Sequence, residues 1–156
     1  MAGPGPSFYN LGVKVLVING ANMETLGQRE PEVYGCTTLP EIEEIIRRKA
    51  AELGMEVCFF QSSSESAIIR AIHDAKGEFD GILINPASHT HYSVAIADAI
   101  KAVAIPAVEV HISNILAREG FRAHSVTARA ARGVIAGFGV ESYLLGLAAL
   151  HHILSE

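Results

Sequence analysis

The order of hydrophobic and polar positions along this chain predicts an alternation of strands and helices. Short apolar runs with the length of buried strands cover residues 13–19, 55–61, 81–85, 107–111 and 133–138. Between and after them, apolar residues recur at helical spacing over residues 39–53, 65–76, 91–103 and 142–154. Strands that alternate with helices in this way pair in parallel through right-handed crossovers. The pattern therefore predicts an α/β fold, a flavodoxin-like three-layer sandwich whose five-stranded parallel sheet has the order 2-1-3-4-5.

The first of these helices has sequence signals at both ends. Thr38 and Glu41 have the spacing of a capping box, in which the two residues bond to each other's backbone N–H groups. Gly54 is a natural stop at the other end. The segment between them is therefore predicted to be a helix with Thr38 as its N-cap.

Composition and charge narrow the class of protein. The chain has 156 residues, of which 49% are hydrophobic, enough for one domain with its own core. Its 12 Lys and Arg against 17 Asp and Glu give a net charge of -5 with no basic block, which argues against nucleic-acid binding. No apolar run is long enough to cross a membrane. We expect a flexible tail over residues 1–12, without the features of a secretory signal, and a single catalytic domain over residues 13–156 in the cytoplasm.

Polar and ionisable side chains collect where the predicted strands end. In an open parallel sheet, ligands bind beyond the carboxyl ends of the strands. These side chains lie at or after the ends of strands one, three and four and in the connection that leads to strand five. They are Asn19, Asn22, Arg29, Glu32, Tyr34, Asn85, Ser88, His89, His91, Glu109, His111, Ser113, Asn114, Arg118, Arg122 and His124. This convergence on one edge of the sheet predicts a functional site there.

Two pairs within this group have the chemistry of an acid and a base. Glu109 lies two residues before His111, so both side chains face the same side of a strand, where a carboxylate could favour the protonated imidazole. Arg29 is close in sequence to Tyr34, and a neighbouring cation lowers the pKa of a phenol. A tyrosinate base and an imidazolium acid suggest proton abstraction at one carbon and loss of water from another. Each residue taken alone is more often structural.

Metal and dinucleotide sites are disfavoured. His89, His91 and His111 could be imagined as metal ligands, but no carboxylate or Cys lies at ligand spacing from the H-x-H pair. Two cysteines, Cys36 and Cys58, are too few for a disulfide framework. No G-x-G-x-x-G follows the first strand.

Two extended motifs resemble the type II 3-dehydroquinate dehydratase family. The first is Asn19-Gly20 with Asn22, followed by the run from Leu26 to Gly35 (LGQREPEVYG). The second runs from Glu109 to Asn114 (EVHISN), with Ala117-Arg118-Glu119, Phe121-Arg122 and His124-Ser125. The likeness continues in order and register from about Val13 to Leu154.

The resemblance implies dehydration of 3-dehydroquinate to 3-dehydroshikimate, an anti elimination through an enolate in the shikimate or quinate pathway, without cofactor, metal or Schiff base. It implies that Tyr34 is the tyrosinate that removes the proton and that Arg29 is the cation that activates it. It also implies that Asn22 helps to hold the water that stabilises the enolate. His111 is then the general acid and Glu109 orients it. The substrate-binding residues that the resemblance implies are Asn85, His91, Asp98, Ile112, Ser113 and Arg122, with Asp98 reaching a neighbouring subunit's site. The implied assembly is a homododecamer built from trimers.

The chain departs from the family's pattern close to the substrate. The departures are at Ala21, Met23, Glu24, Ala87, Ser88, His89, Tyr92, Ala97 and Ala123. Two alternatives stay open at this point. One is the same elimination on a modified ring, such as an amino-dehydroquinate whose ammonium would pair with Glu24. The other is a non-catalytic relative that binds a ring acid.

Overall fold

The polar residues that end the central strands lie side by side in the sheet. The computed structural model describes residues 12–156, so the predicted tail falls outside the described residues except for Gly12. The strands are β1 (Val13–Asn19), β2 (Met55–Gln61), β3 (Gly81–Asn85), β4 (Ala107–His111) and β5 (Gly133–Ala136). They form one parallel sheet in the order β2-β1-β3-β4-β5, which confirms the predicted fold class and strand order. Asn19 pairs with Gln61 on one side and with Asn85 on the other, so these side chains start from one edge.

Helices cover both faces of the sheet. They are α1 (Pro31–Tyr34), α2 (Leu39–Glu52), α3 (Glu65–Asp74), α4 (Val94–Val103) and α5 (Glu141–Leu154). Successive residues of β1 point to opposite faces, as the strand period of two requires. Val15 and Val17 pack in the layer of α2 and α5, whereas Leu16 and Ile18 pack in the layer of α3 and α4. The sheet is therefore buried on both sides, which explains its uninterrupted apolar strands.

Helix α2 begins where its capping signals predict. The backbone N–H of Thr38 donates to Glu41 Oε2 at 2.8 Å, and the hydroxyl of Thr38 accepts from the backbone N–H of Glu41 at 3.4 Å. Ile42, Ile46 and Ala50 are buried along one face of the helix. The predicted capping box and apolar face are both present.

Two predicted boundaries were wrong. The helix predicted over residues 91–103 begins only at Val94, because the hydroxyl of Ser93 caps α4 by accepting from Ile96 N at 3.0 Å. The predicted start, His91, is instead the last residue of a 3-10 helix, Ala87–His91. The fifth strand was predicted to reach residue 138 but ends at Ala136, because Gly137 has a φ of 97° and turns the chain. Other helix ends differ from the predictions by one or two residues, as fraying ends do.

The irregular chain between β4 and β5 is folded into three short 3-10 helices. They are Ile115–Ala117, Gly120–Arg122 and Thr127–Ala130. A further 3-10 helix, Met23–Thr25, follows β1. These turns carry much of the chemistry described below. Within residues 12–156, none of the helices has the combination of length and apolarity needed to cross a membrane.

Candidate active site

A cavity opens at the carboxyl ends of β1, β3 and β4, where the sequence predicted a site. Eleven residues were given a role by the family resemblance, and nine of them line the cavity: Asn22, Arg29, Tyr34, Asn85, His91, His111, Ile112, Ser113 and Arg122. Of the other two, Glu109 is fully buried and bonds to His111 from behind, and Asp98 lies on the exposed side of α4. The remaining lining residues are Ala21, Met23, Leu26, Ala87, Ser88, Ile115 and Arg118.

Glu109 and His111 form a buried pair at the end of β4. Oε1 of Glu109 lies 2.6 Å from Nε2 of His111, and the side chains are 0% and 5% exposed. Burial alone would raise the pKa of Glu109, but the hydrogen bond and positive charge of His111, with bonds from Thr127 and Thr90, hold it below its usual range. The carboxylate therefore occupies Nε2, and Nδ1 is the ring nitrogen left for a ligand in the cavity.

Tyr34 stands between two guanidinium groups. It ends α1, the single turn that follows the loop after Met23–Thr25. The guanidinium carbons of Arg29 and Arg118 lie 5.2 and 5.7 Å from its ring centroid. Nη1 of Arg118 donates to the phenolic oxygen at 3.3 Å and to Ser113 Oγ at 3.4 Å.

The contact of Arg118 with the phenol was missed at the level of sequence. The hydrogen bond with Tyr34 raises the pKa of Arg118, so the guanidinium keeps its charge. Sequence reasoning placed Arg118 in the cluster and in the second motif but assigned it no role, and gave the phenol to Arg29. The sequence did offer one indication of this contact, because Arg118 is a further arginine in the same cluster, four residues before Arg122.

His91 is held in one tautomer by His124. Nδ1 of His91 donates to the backbone oxygen of His124 at 2.8 Å, and Nε2 of His124 donates to the backbone oxygen of His91 at 3.0 Å. Burial lowers the pKa of His91 below its usual range, although its bond to the His124 carbonyl opposes this. A neutral His91 with a protonated Nδ1 has Nε2 free to accept a hydrogen bond.

Asn85 is fixed at the floor of the cavity by its neighbours. Its Nδ2 donates to the hydroxyl of Tyr143 at 2.9 Å, and its Oδ1 accepts from Ala87 N at 3.0 Å. Ala87 has a φ of 55°, a left-handed conformation that lets the chain turn immediately beyond β3. The amide of Asn85 is therefore held in one orientation as it meets the cavity.

Glu24, the acidic departure noted in the sequence, bonds to the neighbouring β2 edge. Its two carboxylate oxygens accept from Gln61 Nε2 at 2.7 Å and from Ser63 Oγ at 3.3 Å. Ser63 Oγ also accepts from Asn22 N at 3.1 Å. Since Asn22 has a φ of 65°, this network restrains a residue in a conformation that non-glycine residues rarely adopt.

The site's donor set is made of hydrogen-bonding groups. Among residues 12–156 there is no cluster of three or more His, Cys, Asp or Glu placed to hold a metal ion. His89, which the sequence raised as a conceivable ligand, bonds through Nδ1 to the hydroxyl of Tyr92 at 2.8 Å. The cavity instead combines two guanidinium groups around a phenol with a carboxylate–imidazole pair, a set suited to moving protons.

Known proteins resemble this chain over most of its length. The family described as Dehydroquinase class II matches residues 13–151. Two proteins named 3-dehydroquinate dehydratase are similar over most of the chain. That of Caldicellulosiruptor saccharolyticus is 56% identical over 142 residues, covering 90% of this chain and 98% of its own. That of Carboxydothermus hydrogenoformans is 55% identical over 138 residues, covering 88% and 90%.

A solved structure has the same fold. The type II dehydroquinase of Butyrivibrio crossotus superimposes with a TM-score of 0.87 and 42% sequence identity, covering 89% of this chain and 97% of its own. The resemblance drawn from the two motifs is confirmed by the family match and by these relatives. This chain belongs to the class II dehydroquinase family.

Proposed function

We propose that the protein is a 3-dehydroquinate dehydratase, a hydro-lyase that converts 3-dehydroquinate to 3-dehydroshikimate by anti elimination of water. Family membership and the names of the relatives support the reaction. The observation that carries the mechanism is that Tyr34, bonded to Arg118, and His111, bonded to Glu109, line one cavity. The elimination is redox-neutral, so the proposed route needs no cofactor.

The proposed base is Tyr34 as a tyrosinate. A guanidinium that donates to the phenolic oxygen, as Arg118 does, stabilises the anion over the phenol, and Arg29 adds a second positive charge close to the ring. The tyrosinate removes the proton from C2, and the electron pair moves into the adjacent ketone to form an enolate. Asn22 is proposed to hold the water that hydrogen-bonds to the enolate oxygen, from its place on the cavity wall.

The proposed acid is His111. As the enolate collapses, the C1–oxygen bond breaks and the imidazolium protonates the departing hydroxyl, which leaves as water. Glu109 accepts from Nε2, so it fixes the ring and stabilises its positive charge. The proton lost from C2 and the proton given to the hydroxyl pass through different residues, as an anti elimination requires.

The remaining lining residues are proposed to hold the ring. Asn85 and the backbone of Ile112 and Ser113 bind the substrate carboxylate. His91, whose Nε2 can accept, and Arg122, which can donate, contact the ring hydroxyls. An acceptor on His91 and a donor on Arg122 can both hydrogen-bond to hydroxyl groups, as recognition of a polyhydroxylated ring acid requires.

A homo-oligomer is part of the proposal. Asp98 lies on the exposed side of α4, near Tyr92 and Val94, which are each 59% exposed. We propose that this surface packs on another copy and that Asp98 reaches that copy's site, within a dodecamer built from trimers. Sedimentation velocity measures the assembly, and a monomer with full activity would contradict it.

The plain ring acid is favoured over an amino-substituted one. The carboxylate of Glu24 accepts from Gln61 Nε2 and Ser63 Oγ, so both of its oxygens are already hydrogen-bonded to β2 and the residues that follow it. We expect stronger turnover of 3-dehydroquinate than of its amino analogue, measured as the ratio of the two kcat/KM values. A preference for the amino analogue would reverse the assignment.

The first test follows the rise of enone absorbance when 3-dehydroquinate is added to protein treated with chelator and borohydride. We expect turnover in the parent and loss of about 1,000-fold or more in kcat for Tyr34→Phe, with substrate affinity nearly unchanged, because only the proton-accepting oxygen is removed. Tyr92→Phe removes the same atom from a tyrosine that does not line the cavity and breaks only its bond to His89, so its kcat should fall far less than that of Tyr34→Phe.

His111→Ala tests the acid in the same assay. Loss of the proton donor should lower kcat by about 100-fold or more. Activity of Tyr34→Phe or His111→Ala within about tenfold of the parent would remove that residue from the mechanism. A flat trace from folded parent protein would instead favour a relative that binds a ring acid without catalysis.

A further inference from the structure

Three hydroxyl groups enclose the carboxylate of Glu109. Thr90 Oγ1 and Ser125 Oγ donate to Oε1 at 2.6 and 2.7 Å, and Thr127 Oγ1 donates to Oε2 at 2.6 Å. We call Thr90, Ser125 and Thr127 the hydroxyl cage. Glu109, Thr90 and Thr127 are all 0% exposed, so bulk water cannot replace a missing donor.

The cage is assembled from two separate segments of chain. Thr90 lies in the 3-10 helix beyond β3, whereas Ser125 and Thr127 lie near the start of the last 3-10 helix before β5. The two segments are joined by a hydrogen bond from the backbone N–H of Val126 to the backbone oxygen of Thr90 at 2.7 Å. Thr90 Oγ1 also lies 2.6 Å from Ser125 Oγ and 2.7 Å from Thr127 Oγ1. Each hydroxyl has one proton, so when all three donate to Glu109 these short contacts carry no hydrogen bond of their own, and the three oxygens are packed together around one carboxylate.

Counting protons shows which form of Glu109 the cage fits. The three hydroxyls and Nε2 of His111 supply four N–H or O–H groups around the two carboxylate oxygens. An ionised carboxylate has about four acceptor sites and carries no proton. A neutral carboxyl would bring its own proton into a shell that is already made of donors. The cage is therefore complementary to the ionised form.

We propose that the hydroxyl cage is a set of positioning residues that keeps Glu109 ionised and thereby keeps the proton of the Glu109–His111 pair on His111. Donors to the carboxylate stabilise the state with Glu109 charged and His111 protonated. They destabilise the state in which the proton has moved to Glu109. The consequence for catalysis rests on the proposed function, in which His111 is the acid, whereas the ionisation of Glu109 does not.

Few other charges face the pair. The strands that flank β4 carry uncharged side chains, GILIN in β3 and GVIA in β5. Helix α4 holds Asp98 and Lys101 on its exposed side, and Arg129 is exposed.

The other titratable groups near the pair belong to the cavity or to neighbouring elements. His111, His124 and Arg122 each contribute to lowering the pKa of His91. Helix α5 brings Tyr143, whose pKa is raised by burial, and the 3-10 helix beyond β3 brings His89. Apart from His111, the donors to Glu109 are therefore neutral hydroxyls. The ionised form of Glu109 is stabilised by these hydroxyls and by His111.

Thr127→Val tests the cage, because it removes the hydroxyl that donates to Oε2 and keeps the shape of the side chain. The side-chain carboxyl carbon of Glu109 is followed by ¹³C NMR against pH, with the signal assigned by its loss in Glu109→Gln. We expect the titration midpoint to rise by about one pH unit or more, the effect of losing one hydrogen bond to a charged group. Thr127→Ser restores the hydroxyl and should return the midpoint to that of the parent.

The kinetic arm uses the same variants. The acid-side inflection of the kcat profile should move to higher pH in Thr127→Val and return in Thr127→Ser. KM should change less than about twofold, because Thr127 is behind the cavity wall and removes no contact with substrate. If Thr127→Val fails to fold, Ser125→Ala at its half-buried position is titrated in the same way.

Two results would overturn the proposal. One is a Glu109 that remains ionised over the same pH range in the parent and in Thr127→Val. The other is a fall in kcat that is equal at every pH, which marks a structural role only. Because the NMR titration needs no substrate, a parent that fails to dehydrate 3-dehydroquinate would refute the proposed function and leave the test of the cage intact.

Discussion

Tyr143→Phe should destabilise the protein more than any other loss of a single hydroxyl that we consider. Tyr143 reaches from α5 beneath the cavity, where its hydroxyl donates to Asn19 Oδ1 and accepts from Asn85 Nδ2 at 2.9 Å. Tyr143 and Asn19 are 0% exposed and Asn85 is 4% exposed. Burial raises the pKa of Tyr143, so the group stays a neutral hydroxyl that can both donate and accept.

The size of the effect follows from what the substitution leaves behind. Phenylalanine fills nearly the same space but deprives an acceptor on Asn19 and a donor on Asn85 of their partner. Each unsatisfied buried group costs about 1–3 kcal/mol, so with two such groups the free energy of unfolding should fall by about 2–6 kcal/mol. Asn19 Nδ2 already lacks a partner among the described residues, so turning the amide over would not repair the loss. At about 3 °C per kcal/mol for a chain of this length, Tm should fall by about 6–18 °C.

Urea denaturation at equilibrium measures this loss. Tyr92→Phe is the comparison variant: it also removes a phenolic hydroxyl, but one with a single bonded partner, His89 Nδ1 at 2.8 Å, so its loss of stability should be smaller than that of Tyr143→Phe. A Tyr143→Phe protein within about 0.5 kcal/mol of the parent would refute the reasoning from buried unsatisfied groups. Because Asn85 lines the cavity, the loss of its anchor should also raise KM with little change in kcat.

Two further substitutions test single contacts. Arg118→Ala should lower kcat by about tenfold or more, because it removes the guanidinium that donates to the phenolic oxygen of Tyr34. Parental kcat in this variant would exclude that role. Gly20→Ala should prevent stable folding, because the added Cβ would lie 2.2 Å from the backbone oxygen of Pro86. The control is Gly120→Ala, whose Cβ would meet nothing within 4 Å and which should fold as the parent does. Thermal unfolding compares the two variants.

The strands and their order could be predicted because burial on both faces leaves a strong periodic signal. Val13–Asn19 and Gly81–Asn85 have the predicted bounds, since each is an apolar run that ends at a polar side chain on the sheet's edge. The errors fall where a local hydrogen bond or backbone angle overrides the pattern. Ser93 starts α4 later than periodicity indicates, and Gly137 ends β5 earlier. Neither effect is carried by hydrophobic spacing.

The predicted cluster of side chains could be located from the sequence, but its contacts could not be assigned. A topological rule brings the ends of parallel strands to one edge, which places Asn85 and His111 without knowledge of any side chain. The contact between Tyr34 and Arg118 joins residues that are 84 positions apart, and both lie in segments without apolar periodicity. The donors to Glu109 from Thr90 and Thr127 were likewise beyond the reach of spacing arguments, since they depend on how two irregular segments meet.

The geometry around Tyr34 indicates how the proposed base is held. Its bond from Arg118 is 3.3 Å, at the long end for an N–H···O contact, and the same Nη1 lies 3.4 Å from Ser113 Oγ. Tyr34 itself is carried by α1, a single turn of four residues held by local hydrogen bonds. A hydroxyl can donate and accept at once, so Ser113 can keep its bond from Arg118 while another group accepts its proton. Through one nitrogen atom, Arg118 thus joins the proposed base to the residue whose backbone is proposed to bind the substrate carboxylate, and its loss should affect both parts of the site.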